Sequence, residues 1–133
     1  EVTIASAVGD QQAALFGQGL KEMIKLLDLI GGGPENIIHG GGDLYVTVFG
    51  GRTRKIGTLL GRGLSFDQAM EELAGVTLES IVIATRTARA VRKLAERGIV
   101  SIDDFPLLMH VDNIINNGAE VNIPWEKFTT IVE

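Results

Sequence analysis

Apolar positions along this chain recur at steps of three and four, with charged residues in the gaps, and that period predicts helix nearly throughout. Phe16, Leu20, Met23, Ile24 and Leu27 form one such stripe, with Lys21, Glu22, Lys25 and Asp28 on the polar side. Gly31-Gly32-Gly33-Pro34 should end that helix, because glycine takes the left-handed cap and proline cannot continue. A short helix should start at Pro34, a second should cover Gly42–Val48 and a third Arg52–Leu60. Ser65-Phe66-Asp67-Gln68 has the capping-box spacing and opens a helix through Leu73.

The clearest long helix runs from Glu79 to Arg97, with Gly98 as its cap. Ile81, Ala84, Ala88, Val91 and Ala95 make its apolar face, while Arg86, Arg89, Lys93 and Arg97 read as a solvated face. Ser101–Asp104 suggests another N-terminus, followed by a helix over Pro106–Asn116. Ile123-Pro124 starts a last short helix through Ile131, on which Trp125 and Phe128 are core or interface anchors. Gly118–Ile123 is the best extended segment, yet it requires no paired sheet. No repeat or low-complexity linker divides the chain, so the pattern predicts a single all-α domain.

Composition narrows the function classes. At 133 residues and 45% hydrophobic, the chain is large enough for one real core. No apolar run approaches the roughly 20 residues of a membrane span. There are no cysteines, so disulfides and thiolate metal sites are excluded, and two separated histidines, His39 and His110, make no zinc site. His110, after Leu107-Leu108-Met109, reads as a core or rim histidine. Residue 1 is Glu with no signal-type segment after it, so the chain reads as a piece of a longer protein.

The net charge of −5 is unevenly spread. Arg52, Arg54, Lys55 and Arg62 fall within residues 51–62 with no acid among them, whereas both flanking segments are acidic. A broad basic face for nucleic acid is missing, but a local pocket for a small anion fits. Gly50-Gly51-Arg52-Thr53 offers flexible backbone amides, a guanidinium and a hydroxyl at a helix N-terminus, which suits phosphate. A solvated turn with incidental cations is the alternative. Upstream, a glycine turn at Gly40-Gly41-Gly42 leads to Asp43, with Thr47 four residues on and on the same helical face. That pair suits a polyol or a catalytic ammonium, or Asp43 is an N-cap. Gly17-Gln18-Gly19 is no dinucleotide fingerprint. It lies in a helix pattern without a preceding strand, and its glycines allow close helix packing.

Several blocks in order resemble the C-terminal domain of NAD(P)-dependent sn-glycerol-3-phosphate dehydrogenases: Ala13-Ala14-Leu15-Phe16-Gly17-Gln18-Gly19-Leu20-Lys21-Glu22-Met23, Gly42-Asp43-Leu44-Tyr45-Val46-Thr47, Gly50-Gly51-Arg52-Thr53-Arg54-Lys55, Gly75-Val76-Thr77-Leu78-Glu79 and Phe105-Pro106-Leu107-Leu108. The resemblance implies an all-α, multi-helical fold of the 6-phosphogluconate-dehydrogenase C-terminal-like type. It implies interconversion of sn-glycerol 3-phosphate and dihydroxyacetone phosphate with NAD or NADP. Asp43 and Thr47 fall on active-site positions; Asp43, Gly51, Arg52 and Thr53 on substrate-binding ones; Arg52, Thr77 and Glu79 on cofactor contacts; no metal is implied. The implied partners are a small phosphorylated substrate, the chain's own N-terminal Rossmann domain, absent here, and a possible homodimer. The implied setting is cytoplasmic, and this chain alone is expected to be inactive. Thr53 replaces a usual asparagine, Gln18 an arginine of many members, and Thr77 a lysine of some. Two other readings therefore stand beside it: a non-catalytic helical oligomerisation or ligand-binding module, and a related dehydrogenase of another phosphorylated or carboxylated alcohol.

Overall fold

The computed structural model describes residues 2–76 and 78–128. Its helices are α1 (Val2–Leu29), α2 (Ile37–Gly50), α3 (Arg52–Gly61), α4 (Phe66–Glu72), α5 (Glu79–Glu96) and α6 (Pro106–Asn117). Short 3₁₀ turns fall at Pro34–Asn36, Ile102–Asp104 and Trp125–Lys127, and no strand occurs among the described residues. The all-α prediction holds. No helix among these residues is long and apolar enough to cross a membrane.

The predicted helix ends are met by specific bonds. Gly31, at φ 73°, closes α1 while the Gly32 N–H donates to Leu27 O at 2.8 Å and the Gly31 N–H to Asp28 O. The capping box of α4 forms on both sides, Gln68 N–H to Ser65 Oγ and Ser65 N–H to Gln68 Oε1. Gly98, at φ 72°, follows α5, and the Ile99 N–H reaches back to Leu94 O. Arg86, Arg89, Lys93 and Arg97 are exposed, as their pattern predicts.

Several expectations change. The glycine run 40–42 is no turn before a helix at Gly42, because α2 already begins at Ile37 and carries all three glycines inside it. Two of them serve close approach: a Cβ at Gly40 would strike the thioether of Met23, and one at Gly41 would touch Leu20 Cδ2 at 3.4 Å, while one at Gly42 would meet nothing within 4 Å. Tertiary packing against α1 therefore offsets a helix-propensity cost of about 1 kcal/mol per glycine. Asp43 is consequently an interior residue of α2, not its N-cap. The helix expected after Pro124 is a single 3₁₀ turn, Trp125–Lys127, which ends where Phe128 turns extended. Trp125 is 38% exposed and meets Phe128 edge to face at 5.5 Å, so the pair packs on itself at the surface and not in the core. Residues 129–131 of that expected helix lie outside the described residues.

The core has two centres. Ala88 and Val91 of α5 meet Phe105 and Met109 at the start of α6, with Leu26 of α1 against them. Ile56 of α3, Ala69 of α4 and Leu78 form the second, joined to α5 through Ile81. Helix α5 thus ties the α3–α4 hairpin to the α1–α6 half.

Buried polar groups hold the second half in place. Glu22, expected on the polar face of α1, is only 5% exposed. Its carboxylate accepts the N–H groups of Leu107 at 2.7 Å and Leu108 at 2.9 Å, in the first turn of α6, and the Gln18 amide at 2.9 Å. A carboxylate there satisfies orphan donors and the positive end of the helix dipole together. The carbonyl oxygen of Gln18 is buried with no partner among the described residues. Gly19 leaves room beside Leu107, whose Cδ2 a Cβ would meet at 4.0 Å. Asp112 of α6, also buried, pairs with Arg92 of α5 at 2.6 Å and accepts from Asn116 at 2.8 Å.

Candidate functional site

Helix α2 ends at Gly50, Gly51 is extended at φ −69° and ψ 151°, and α3 starts at Arg52. A glycine cap has no side chain, so no side-chain oxygen takes the first-turn N–H groups of α3. Arg52 and Thr53 are both exposed at that end. The N-terminus of α5 has the same character: its cap is Leu78, which makes no side-chain cap bond, and its first residue is the exposed Glu79.

One contact brings these two ends together. Thr53 Oγ1 lies 2.7 Å from Ser80 Oγ, across 27 residues of sequence. The predicted substrate residues Gly51, Arg52 and Thr53 and the predicted cofactor residue Glu79 therefore share one surface. Two helix N-termini, each with partial positive charge and neither with a side-chain cap bond, meet there beside a guanidinium that can grip two oxygens of a phosphate. Arg54 and Lys55 are exposed in the same first turn of α3 and add to the local positive field.

The other predicted residues are placed differently. Asp43 is exposed on α2, seven residues before Gly50, which is about 10 Å of helix from the α3 junction. Thr47 lies one turn further along α2, closer to that junction. Thr77 lies outside the described residues. Ser80 was not among the sequence candidates. A hydroxyl directly after Glu79 in the first turn of a predicted helix was the available signal, but nothing in the sequence links it to Thr53.

The family model described as "NAD-dependent glycerol-3-phosphate dehydrogenase C-terminus" matches residues 3–126. The chain belongs to this family. A glycerol-3-phosphate dehydrogenase [NAD(P)+] of Aromatoleum aromaticum is 34% identical over 127 residues, covering 87% of this chain and 36% of the relative. An NADP(+)-dependent glycerol-3-phosphate dehydrogenase of Archaeoglobus fulgidus is 40% identical over 68 residues, covering 50% of this chain and 20% of the relative. A third, from Xanthomonas euvesicatoria pv. vesicatoria, is 40% identical over 82 residues, 59% of this chain and 24% of its own length. The chain thus spans between 20% and 36% of the length of these dehydrogenase relatives. No solved structure matches it. The matched residues include both helix starts that lack a side-chain cap bond, so the junction around Arg52 lies within the family's C-terminal unit.

Proposed function

We propose that this chain is the substrate-side helical domain of an NAD(P)-dependent dehydrogenase that interconverts sn-glycerol 3-phosphate and dihydroxyacetone phosphate. The observation that carries the reading is the junction of α3 and α5, where exposed Arg52 and Thr53 stand at one uncapped helix start, bonded through Thr53 to Ser80 at another. Such a junction suits an anion, and the names of relatives as glycerol-3-phosphate dehydrogenases support a phosphate ester as the fitting one. The nucleotide-binding unit and the catalytic lysine belong, in this reading, to a Rossmann domain outside these residues.

Each candidate site residue has a task in that assignment. Arg52, with the N–H groups following Gly51 and the Thr53 hydroxyl, holds the phosphate. Binding energy gathered there, remote from the reacting carbon, fixes the geometry of the hydroxyl-bearing carbon. Asp43 orients the lysine ammonium supplied by the other domain, and Thr47 lies toward the substrate hydroxyls. Oxidation removes a hydride from the carbinol carbon and a proton from its hydroxyl; the proton passes to the lysine, which enters that direction as the neutral amine and leaves as the ammonium that Asp43 orients. When bound, NAD or NADP supplies the hydride acceptor, or the donor in the reverse direction. Arg52, Thr77 and Glu79 are its contacts from this chain, and an exposed guanidinium with uncapped N–H groups beside it fits an anionic, polar cofactor.

A wider partner surface goes with this reading. An apolar groove of about 450 Å³ runs between α1 and α5, lined by Met23, Leu26, Leu27, Ile30 and Leu94 among others. Patches of this kind mark interfaces. The Rossmann domain and, in a homodimer, a second copy are the partners the reading offers for it, in a cytoplasmic setting where the nicotinamide pool is available.

The test is Arg52→Ala in the full-length protein containing this chain. Loss of one charged hydrogen-bonding partner should lower kcat/KM for dihydroxyacetone phosphate by about tenfold to a hundredfold. An unchanged kcat/KM would overturn the assignment of the phosphate to this junction.

A further inference from the structure

We infer that Ser80 is a positioning residue for phosphate binding, acting through Thr53; this rests on the function proposed above. The two hydroxyl oxygens are 2.7 Å apart, a full-strength O–H···O distance, and they join the first turn of α3 to the first turn of α5. Either hydroxyl is able to donate to the other. A phosphate oxygen beside Thr53 removes that ambiguity, because phosphate only accepts. Thr53 must then turn its proton toward the anion, which leaves its own oxygen free to accept from Ser80.

The result is an ordered relay, Ser80 to Thr53 to phosphate, in which each bond polarises the next. No proton is transferred along it and no bond is broken; the gain is a pre-set donor. A threonine at the exposed start of a helix otherwise samples several hydroxyl and side-chain rotamers, each of which binding must freeze. Ser80 is half-buried at the base of α5, so it is the anchored member of the pair, and Thr53 the exposed one. It also holds the start of α3 beside Glu79, which keeps the proposed phosphate and cofactor contacts in one register. Ser80 itself need not touch the substrate.

The experiment compares full-length wild type with Ser80→Ala, Ser80→Thr, Thr53→Ala and the Thr53→Ala/Ser80→Ala double variant. Four quantities are read: KM for dihydroxyacetone phosphate, kcat, the inhibition constant of inorganic phosphate, and Tm. Losing the relay should raise KM and the phosphate inhibition constant together by about threefold to tenfold in Ser80→Ala, with kcat within about twofold. Ser80→Thr, which keeps the hydroxyl, should restore both. The double variant should be no worse than Thr53→Ala alone, because Ser80 acts only through Thr53. A lower Tm in Ser80→Ala with KM and the phosphate constant unchanged would overturn the inference alone, making the bond a structural tie. A wild type that does not turn over dihydroxyacetone phosphate would overturn the proposed function, and the inference with it.

Discussion

Replacing Glu22 by alanine removes three accepted hydrogen bonds at once, from the Leu107 and Leu108 N–H groups and from the Gln18 amide. Loss of a side-chain cap on a helix costs about 1 kcal/mol, and a charged acceptor at the positive end of the dipole adds about 1 kcal/mol more. The Gln18 amide, on a residue only 6% exposed, loses its acceptor in a place water reaches poorly, for about 1 kcal/mol. Glu22→Ala should therefore cost about 3 kcal/mol, against a total stability of about 5–15 kcal/mol for a domain. Urea unfolding followed by circular dichroism at the helical band reads this directly, and Tm should fall by about 10 °C. Glu22→Gln keeps one acceptor oxygen but sets an amide N–H against a backbone N–H, so about half the loss should remain. In a double-mutant cycle, Gln18→Ala and Glu22→Ala should couple by about 1 kcal/mol. A Glu22→Ala protein within about 0.5 kcal/mol of wild type would refute the view that α6 is capped from α1.

Arg92→Ala strands the buried Asp112 carboxylate with Asn116 as its remaining donor, and should cost about 1–3 kcal/mol by urea titration. The partner change Arg92→Met/Asp112→Leu should recover much of that loss, because an apolar pair needs no compensation. Burial pushes the His110 imidazole below its ordinary 6.5, and its Nε2 accepts the Asn122 N–H at 3.1 Å, which a doubly protonated ring cannot do. Below pH 6.5 the unfolded chain then binds a proton that the folded chain resists. Stability should accordingly drop from pH 6.5 downward by more in wild type than in His110→Gln, read as the difference in Tm between the two at each pH. Gly40→Val should push aside the Met23 thioether, the far end of a flexible side chain, and so lower Tm only modestly, by about 1–3 °C.

The helices were legible because their signals are local. Ser65 with Gln68, Gly98 after Arg97 and Pro106 at the head of α6 all act within one turn, and each stands where its chemistry predicts. The glycines at 40 and 41 misled because their reason lies elsewhere in the chain, at Met23 and Leu20; composition reads the run as a turn while packing makes these two a contact surface. Glu22 misled for the same reason. Its spacing puts it beside Lys21 and Lys25 on a solvated face, and only the arrival of α6, 85 residues later, turns it into a buried cap. Arg52, Thr53 and Glu79 were legible as types and positions. Their meeting was not, because it rests on a hydroxyl pair, Thr53 and Ser80, that no periodicity links.

The most direct measurement is the initial rate of NADH and NADPH oxidation by the full-length protein, with dihydroxyacetone phosphate and with dihydroxyacetone as parallel substrates. With the phosphate held at Arg52 and Thr53, the phosphorylated ketone should turn over with a kcat/KM at least about a hundredfold higher than the unphosphorylated one. Equal rates on the two ketones, or no cofactor oxidation with either, would contradict a phosphate-anchored dehydrogenase site at the α3–α5 junction.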